Sequence, residues 1–91
     1  MAVLVTMEVG PVEWDKFRQA LEWGKTVAAP GRRSLRVYRG EADPTRVLLV
    51  EEWDSHDSMH KYQGRVGAEF NKRAGTEGME WEDAVWQQAS V

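Results

Sequence analysis

Arg46-Val-Leu-Leu-Val-Glu-Glu-Trp-Asp-Ser55 is the stretch on which the fold turns. Val47 to Val50 is an unbroken apolar run rich in β-branched residues, the pattern of a strand covered on both faces. Glu51 and Trp53 stand two apart, so an extended chain projects them from one face. Ser55 and Asp57 then offer side-chain oxygens to the free amides of a helix start. Met59, Tyr62, Val66 and Phe70 follow at offsets of 3, 7 and 11, one stripe of an amphipathic helix running from Asp57 to about Arg73. The segment therefore reads as a buried strand that ends in a carboxylate and an indole and turns at once into a helix.

The flanking sequence supplies the elements that such a unit needs. Residues 2–9 alternate, with Val3, Val5, Met7 and Val9 on one face and Leu4, Thr6 and Glu8 on the other, a half-buried strand. Gly10-Pro11 stops it, with Pro11 suited to the first turn of the next helix. From Val12 to about Ala29, Trp14, Phe17, Ala20, Leu21, Gly24, Val27 and Ala28 recur at helical spacing. Trp23 falls off this stripe and offers a second contact surface, and Ala29-Pro30-Gly31 ends the helix. Ser34 to Arg39 reads as the second strand, joined to the third by Gly40–Thr45, turn chemistry of hairpin length. Gly64 and Gly67 weaken the second helix, Gly67 as the mark of a close approach by another backbone. Met79 to about Gln88 reads as the last strand, with Met79, Trp81, Asp83 and Val85 on one face and Trp86 on the other.

The order is β-α-β-β-α-β, an α+β ferredoxin-like domain over residues 1–91: a four-stranded antiparallel sheet with two helices on one face. Leu4, Tyr38, Leu48, Val50 and Trp86 are the candidates for the other sheet face, and a second copy stacking sheet on sheet would cover them. Five tryptophans in 91 residues favour such association, because so short a chain has difficulty enclosing that many large rings. A homodimer is the expected assembly.

Composition narrows the function. A net charge of −3 gives no field toward nucleic acid or anionic lipid, so neither is expected as a partner. Arg32, Arg33, Arg36 and Arg39 form a local basic cluster that reads as a solvated strand rim ahead of a phosphate site. The absence of cysteine removes disulfides, thiolate metal sites and cysteine nucleophiles. The N-terminal residues lack a basic segment and a long apolar core for export, and no apolar run reaches bilayer length, so a cytoplasmic protein is expected.

Leu49-Val-Glu-Glu-Trp-Asp-Ser55 followed by a helix, and preceded by Leu35-Arg-Val-Tyr-Arg39 and an Asp43-Pro44 turn, resembles the antibiotic biosynthesis monooxygenase-like domains of the dimeric α+β barrel superfamily. The resemblance covers most of the chain, and its sharpest part is Glu51-x-Trp53-x-Ser55. It implies dimers whose sheets close into a barrel, with a cavity between sheet and helices in each subunit. The implied functions include cofactor-independent oxygenation of aromatic polyketide intermediates, haem degradation, and isomerisation or decarboxylation of small ring compounds. Many of these domains carry a histidine nine residues after the strand tryptophan, where this chain has Tyr62. The haem-degrading branch uses an asparagine on the first strand and a histidine late in the second helix. Here the strand has no asparagine and the helix reads Phe70-Asn71-Lys72, which argues against haem.

Three residues stand out as catalytic candidates. His60 would be a proton acceptor, because an unperturbed imidazole has its pKa near working pH; paired with His56 four residues earlier it would need a third group to hold a metal, and a solvated pair is the simpler reading. Tyr62 is either a core tyrosine or a hydrogen-bond donor to a ligand carbonyl or phenolate. Glu51, if its face meets the helices, must be paired or carry a raised pKa, with Arg36 or Arg39 as partner and an ion pair or a base as its role. Trp53, Trp81, Met59, Phe70 and Phe17 are the expected substrate wall, which in this fold is also core. The expectation is a small monooxygenase-like enzyme acting on an aromatic or polyketide-type compound with no metal and no cofactor. The alternatives are a non-catalytic dimeric protein binding a small apolar molecule, and a small isomerase or decarboxylase.

Overall fold

The computed structural model describes residues 1–91. Its elements are β1 (Val3–Val9), α1 (Trp14–Gly24), β2 (Arg32–Arg39), β3 (Val47–Trp53), α2 (His56–Ala74) and β4 (Glu82–Trp86). The strands form one antiparallel sheet in the order β2-β3-β1-β4, and both helices cover the same face, giving the βαββαβ ferredoxin-like α+β fold. No helix is long and apolar enough to cross a membrane.

Register decides which residues meet the helices, because residues directly opposite each other share a sheet face. One row runs Leu35, Glu51, Val5, Val85, and the next runs Val37, Leu49, Met7, Asp83. Both rows belong to the covered face, where Val3, Val5, Val9, Val47 and Trp53 join Phe17 and Ala20 of α1 and Met59 and Val66 of α2 in the core. The opposite face carries Leu4, Tyr38, Leu48, Val50 and Trp86, as their alternation implies. Val47 and Leu49 are buried, but Leu48 and Val50 are only half covered. The reading of this run as covered on both faces is thus not met within one chain, because both helices lie on one side.

Local chemistry moves several element ends. Glu13 caps α1 by accepting from the Lys16 amide at 2.9 Å, so Pro11, preceded by a cis peptide, lies outside the first turn. The helix ends at Gly24, five residues before the expected Ala29, as the Thr26 hydroxyl donates to the Trp23 carbonyl at 2.6 Å. Such a local side-chain bond competes with the helical ladder. Ser55 caps α2 by accepting from Ser58 N at 3.1 Å, and Gly75 ends it with φ of 73°, a left-handed conformation that favours glycine. β2 begins at Arg32, two residues earlier than Ser34, through an irregular register between Arg32 and Ser34. β4 is only five residues long, and Met79 and Trp81 precede it while still packing on the core. Trp23 does not open a second surface: the Arg73 guanidinium of α2 lies 4.5 Å from its ring centroid.

Candidate functional site

A cavity of about 270 Å³ lies between the covered sheet face and the helices. That is close to the lower limit of ligand clefts, about 300 Å³, and suits a small fused-ring compound rather than a macrocycle. Tyr62, Gln63, Val66, Gly67, Phe70 and Asn71 form its α2 wall, about two residues per turn over roughly 14 Å of helix. Leu21 and Gly24 of α1 close it above, and Met7, Leu35 and Leu49 form the floor. A Cβ built on Gly67 meets nothing within 4 Å, and one on Gly24 meets only the Tyr62 hydroxyl oxygen at 3.9 Å. Gly67 therefore does not mark another backbone, as its place in the helix suggested; it borders open space.

Charged groups stand on two sides of this apolar room. On the β2–β3 side, Arg32 Nη1 lies 3.1 Å from Glu51 Oε2, with side chains only 15% and 6% exposed. The Trp53 indole donates to the other carboxylate oxygen at 3.2 Å, so both oxygens of this buried carboxylate are engaged. The Arg32 guanidinium also sits 5.2 Å from the Tyr62 ring centroid, and Tyr62 packs on Trp53 at 5.3 Å. Arg36 and Arg39 are not the partners. Arg36 is opposite Val50 on the open face, and Arg39 donates to Pro44 O and covers the Trp14 ring. The bulge at the start of β2 is what brings Arg32 inward.

On the β4 side, Phe17, Phe70 and Trp81 form a triangle of rings with centroids 5.5 to 6.3 Å apart. The Trp81 indole nitrogen is buried without a hydrogen-bond partner, an arrangement that costs about 1–3 kcal/mol if nothing fills it. Asp83 stands beside Met7 on the covered face and borders the cavity mouth. The side chain is exposed, and partial desolvation raises its carboxyl pKa from the ordinary value, with no nearby cation or hydrogen bond to oppose the effect. Asn71 is held by Thr76, whose hydroxyl donates to Asn71 Oδ1 at 2.7 Å.

The structure brings Glu51, Tyr62, Phe70 and Trp81 together around the cavity. Trp53, Met59 and Phe17 do not line it; they are buried behind the wall and hold Glu51, α2 and the aromatic triangle in place. His60 does not face it either. It lies exposed, 4.3 Å from His56 between ring centroids, because two residues before Tyr62 on a helix is the opposite side. No group of three His, Cys, Asp or Glu side chains is arranged to hold a metal ion. Arg32, Gln63, Asn71 and Asp83 are cavity residues that the sequence reading did not single out. Of these, Asp83 had a visible signal, a lone carboxylate in an otherwise apolar alternation.

The comparisons agree with this architecture. A structure of the antibiotic biosynthesis monooxygenase type from Bordetella bronchiseptica is 17% identical with a TM-score of 0.79, covering 98% of each chain. Rv0793 from Mycobacterium tuberculosis is 17% identical with a TM-score of 0.74, covering 100% of this chain and 98% of its own. SnoaB, a cofactor-independent oxygenase from Streptomyces nogalater, is 13% identical with a TM-score of 0.73, covering 99% and 94%. At such identities the likeness speaks for the fold alone. No curated protein matches the sequence. The antibiotic biosynthesis monooxygenase family model matches residues 1–73, most of the chain, and the protein belongs to that family.

Proposed function

We propose that this chain is a cofactor-independent oxygenase acting on a small aromatic or polyketide-type compound held between sheet and helices, and that it works as a homodimer. The observation that carries this reading is the cavity itself: an apolar room with Tyr62, a fixed Arg32–Glu51 pair and a second carboxylate at its edge. Family membership and a solved neighbour that is a cofactor-independent oxygenase support it. In this reaction a ring methylene flanked by aromatic rings, or its enol tautomer, loses a proton to a carboxylate. The resulting anion donates electrons to dioxygen. One oxygen atom ends as the ring carbonyl and the other leaves as water, so the substrate loses two hydrogens and gains one oxygen. The protein has three tasks: to exclude water, to orient the ring and to move the proton. Tyr62 orients, Phe70 and Trp81 hold the ring, and the lining carboxylates Glu51 and Asp83 are the available proton acceptors. His60 faces away from the cavity and takes no part.

The open sheet face supports the dimer. Leu4, Tyr38 and Trp86 are 39%, 49% and 56% exposed on it, apolar side chains that a second copy would cover. The engaged oxygens of Glu51 favour a second reading, a protein that binds the same compound without turning it over. Incubation with 1,8-dihydroxyanthrone in air and under nitrogen separates them. Oxygen uptake matched to ketone formation in air alone supports the oxygenase. Binding without oxygen uptake supports the second reading, and turnover under nitrogen supports an isomerase or decarboxylase.

A further inference from the structure

We infer that Arg32 reads a pair of adjacent, uncharged oxygens on the occupant of the cavity, the pair that a peri hydroxy ketone presents, and so decides which aromatic ketones the chain accepts. This rests on the proposal that the cavity holds an aromatic ligand, and it names the substituents that ligand must bear. A guanidinium has five N–H donors in a fixed planar fork. Glu51 is the one residue whose side chain accepts from Arg32, and it does so at Nη1, 3.1 Å away. The Nε/Nη2 edge, on the other side of the group, is left without a protein acceptor. That edge is also open. Arg32 lines the cavity, and the only side-chain nitrogen or oxygen both sealed off and unpartnered, among residues that are not exposed, is Trp81 Nε1. The fork is held in place, because the Arg32 side chain is tied to Glu51 and its guanidinium packs on the rings of Trp53 and Tyr62 at 5.9 and 5.2 Å. Two parallel N–H bonds take two oxygens side by side, which a carboxylate and a peri hydroxy ketone both supply. In the ketone the internal hydrogen bond keeps those oxygens about 2.5–3.0 Å apart. Charge decides between the two. Glu51 on β3 already balances Arg32, and the other charged group bordering the cavity is Asp83 on β4; α2 adds only the phenol of Tyr62, and α1 adds no titratable group. A full anion on the fork would meet two carboxylates and one cation, whereas a neutral oxygen pair makes the same two bonds without that repulsion.

Isothermal titration of 8-hydroxy-1-tetralone and 6-hydroxy-1-tetralone into the full chain tests this, because the isomers match in size and only the first sets its two oxygens side by side. The wild-type chain is expected to bind the 8-hydroxy isomer about tenfold more tightly, the worth of one further hydrogen bond to a charged donor. It is expected to bind 1-naphthoate, the carboxylate of similar size, more weakly than the 8-hydroxy isomer. Arg32→Lys keeps a charge beside Glu51 and removes the fork, so it is expected to abolish the preference between isomers while the 6-hydroxy isomer binds as before. If that variant does not fold by circular dichroism, Arg32→Gln combined with Glu51→Gln, which removes both charges together, is read in the same way. Equal affinities for the two isomers, a preference that survives loss of the fork, or tighter binding of 1-naphthoate overturns the role of Arg32 and leaves the ligand cavity standing. Failure of all these compounds to bind removes the cavity as a ligand site and the role of Arg32 with it. Oxygen uptake is measured separately: an isomer preference abolished by Arg32→Lys in a chain that consumes no oxygen keeps the role of Arg32 and removes the oxygenase.

Discussion

Among single residues, Glu51 and Asp83 show how environment divides two carboxylates between two roles. Glu51 is buried with both oxygens engaged, so removing its cation leaves a charge with nowhere to go. Arg32→Ala is expected to lower stability by about 3 kcal/mol, read from the urea midpoint, and a loss below about 1 kcal/mol would show that the pair is dispensable. Asp83 behaves in the opposite sense. Partial desolvation raises its carboxyl pKa, so the folded chain binds that proton more readily than the unfolded chain and loses stability as pH rises through the raised value. Asp83→Asn is therefore expected to be more stable than the wild type at neutral pH. The difference should close as pH falls below the unfolded carboxylate value, about 3.9. Denaturation at both pH values checks this, and a difference independent of pH would contradict it. Tyr62→Phe is expected to cost turnover about tenfold, through loss of one hydrogen bond to the substrate, with the fold intact by circular dichroism.

The secondary-structure elements were legible in the sequence to different depths. Strand alternation in β1 and the Ser55 cap of α2 are local signals, and they placed those elements to within a residue or two. The end of α1 was not legible, because Val27 and Ala28 continue the apolar period while Thr26 closes the helix by bonding to Trp23 O. The pairing of Glu51 with Arg32 could not be read either. It depends on an irregular register between the paired strands β2 and β3, and alternation alone pointed to other arginines. Gly67 was misread for the same reason, since a missing side chain in a sequence does not say whether backbone or empty space lies beyond it. Gly67→Ala is expected to stabilise the chain by about 1 kcal/mol, because α2 gains a better helix former and nothing is displaced. Gly75→Ala is expected to destabilise it by a similar amount, because φ of 73° strains any residue with a Cβ. Thermal melts of the two variants should move in opposite directions.

For the molecule as a whole, one sheet face is finished and the other is not. The helices complete the core and wall one side of the cavity, whereas Leu4, Tyr38 and Trp86 remain on an open face. Sedimentation at micromolar concentration is expected to give twice the chain mass, and Trp86→Glu to shift it toward the monomer; a wild-type monomer would contradict the pairing. The room beneath the helices is the centre of the functional account, and Gly67 borders it with open space where a Cβ would stand, so a larger side chain there is expected to enter the cavity. The decisive measurement is therefore oxygen uptake with 1,8-dihydroxyanthrone by Gly67→Leu beside the wild type. The filled cavity should abolish uptake while the melting temperature holds or rises. Undiminished uptake by a folded Gly67→Leu chain would place the chemistry somewhere else.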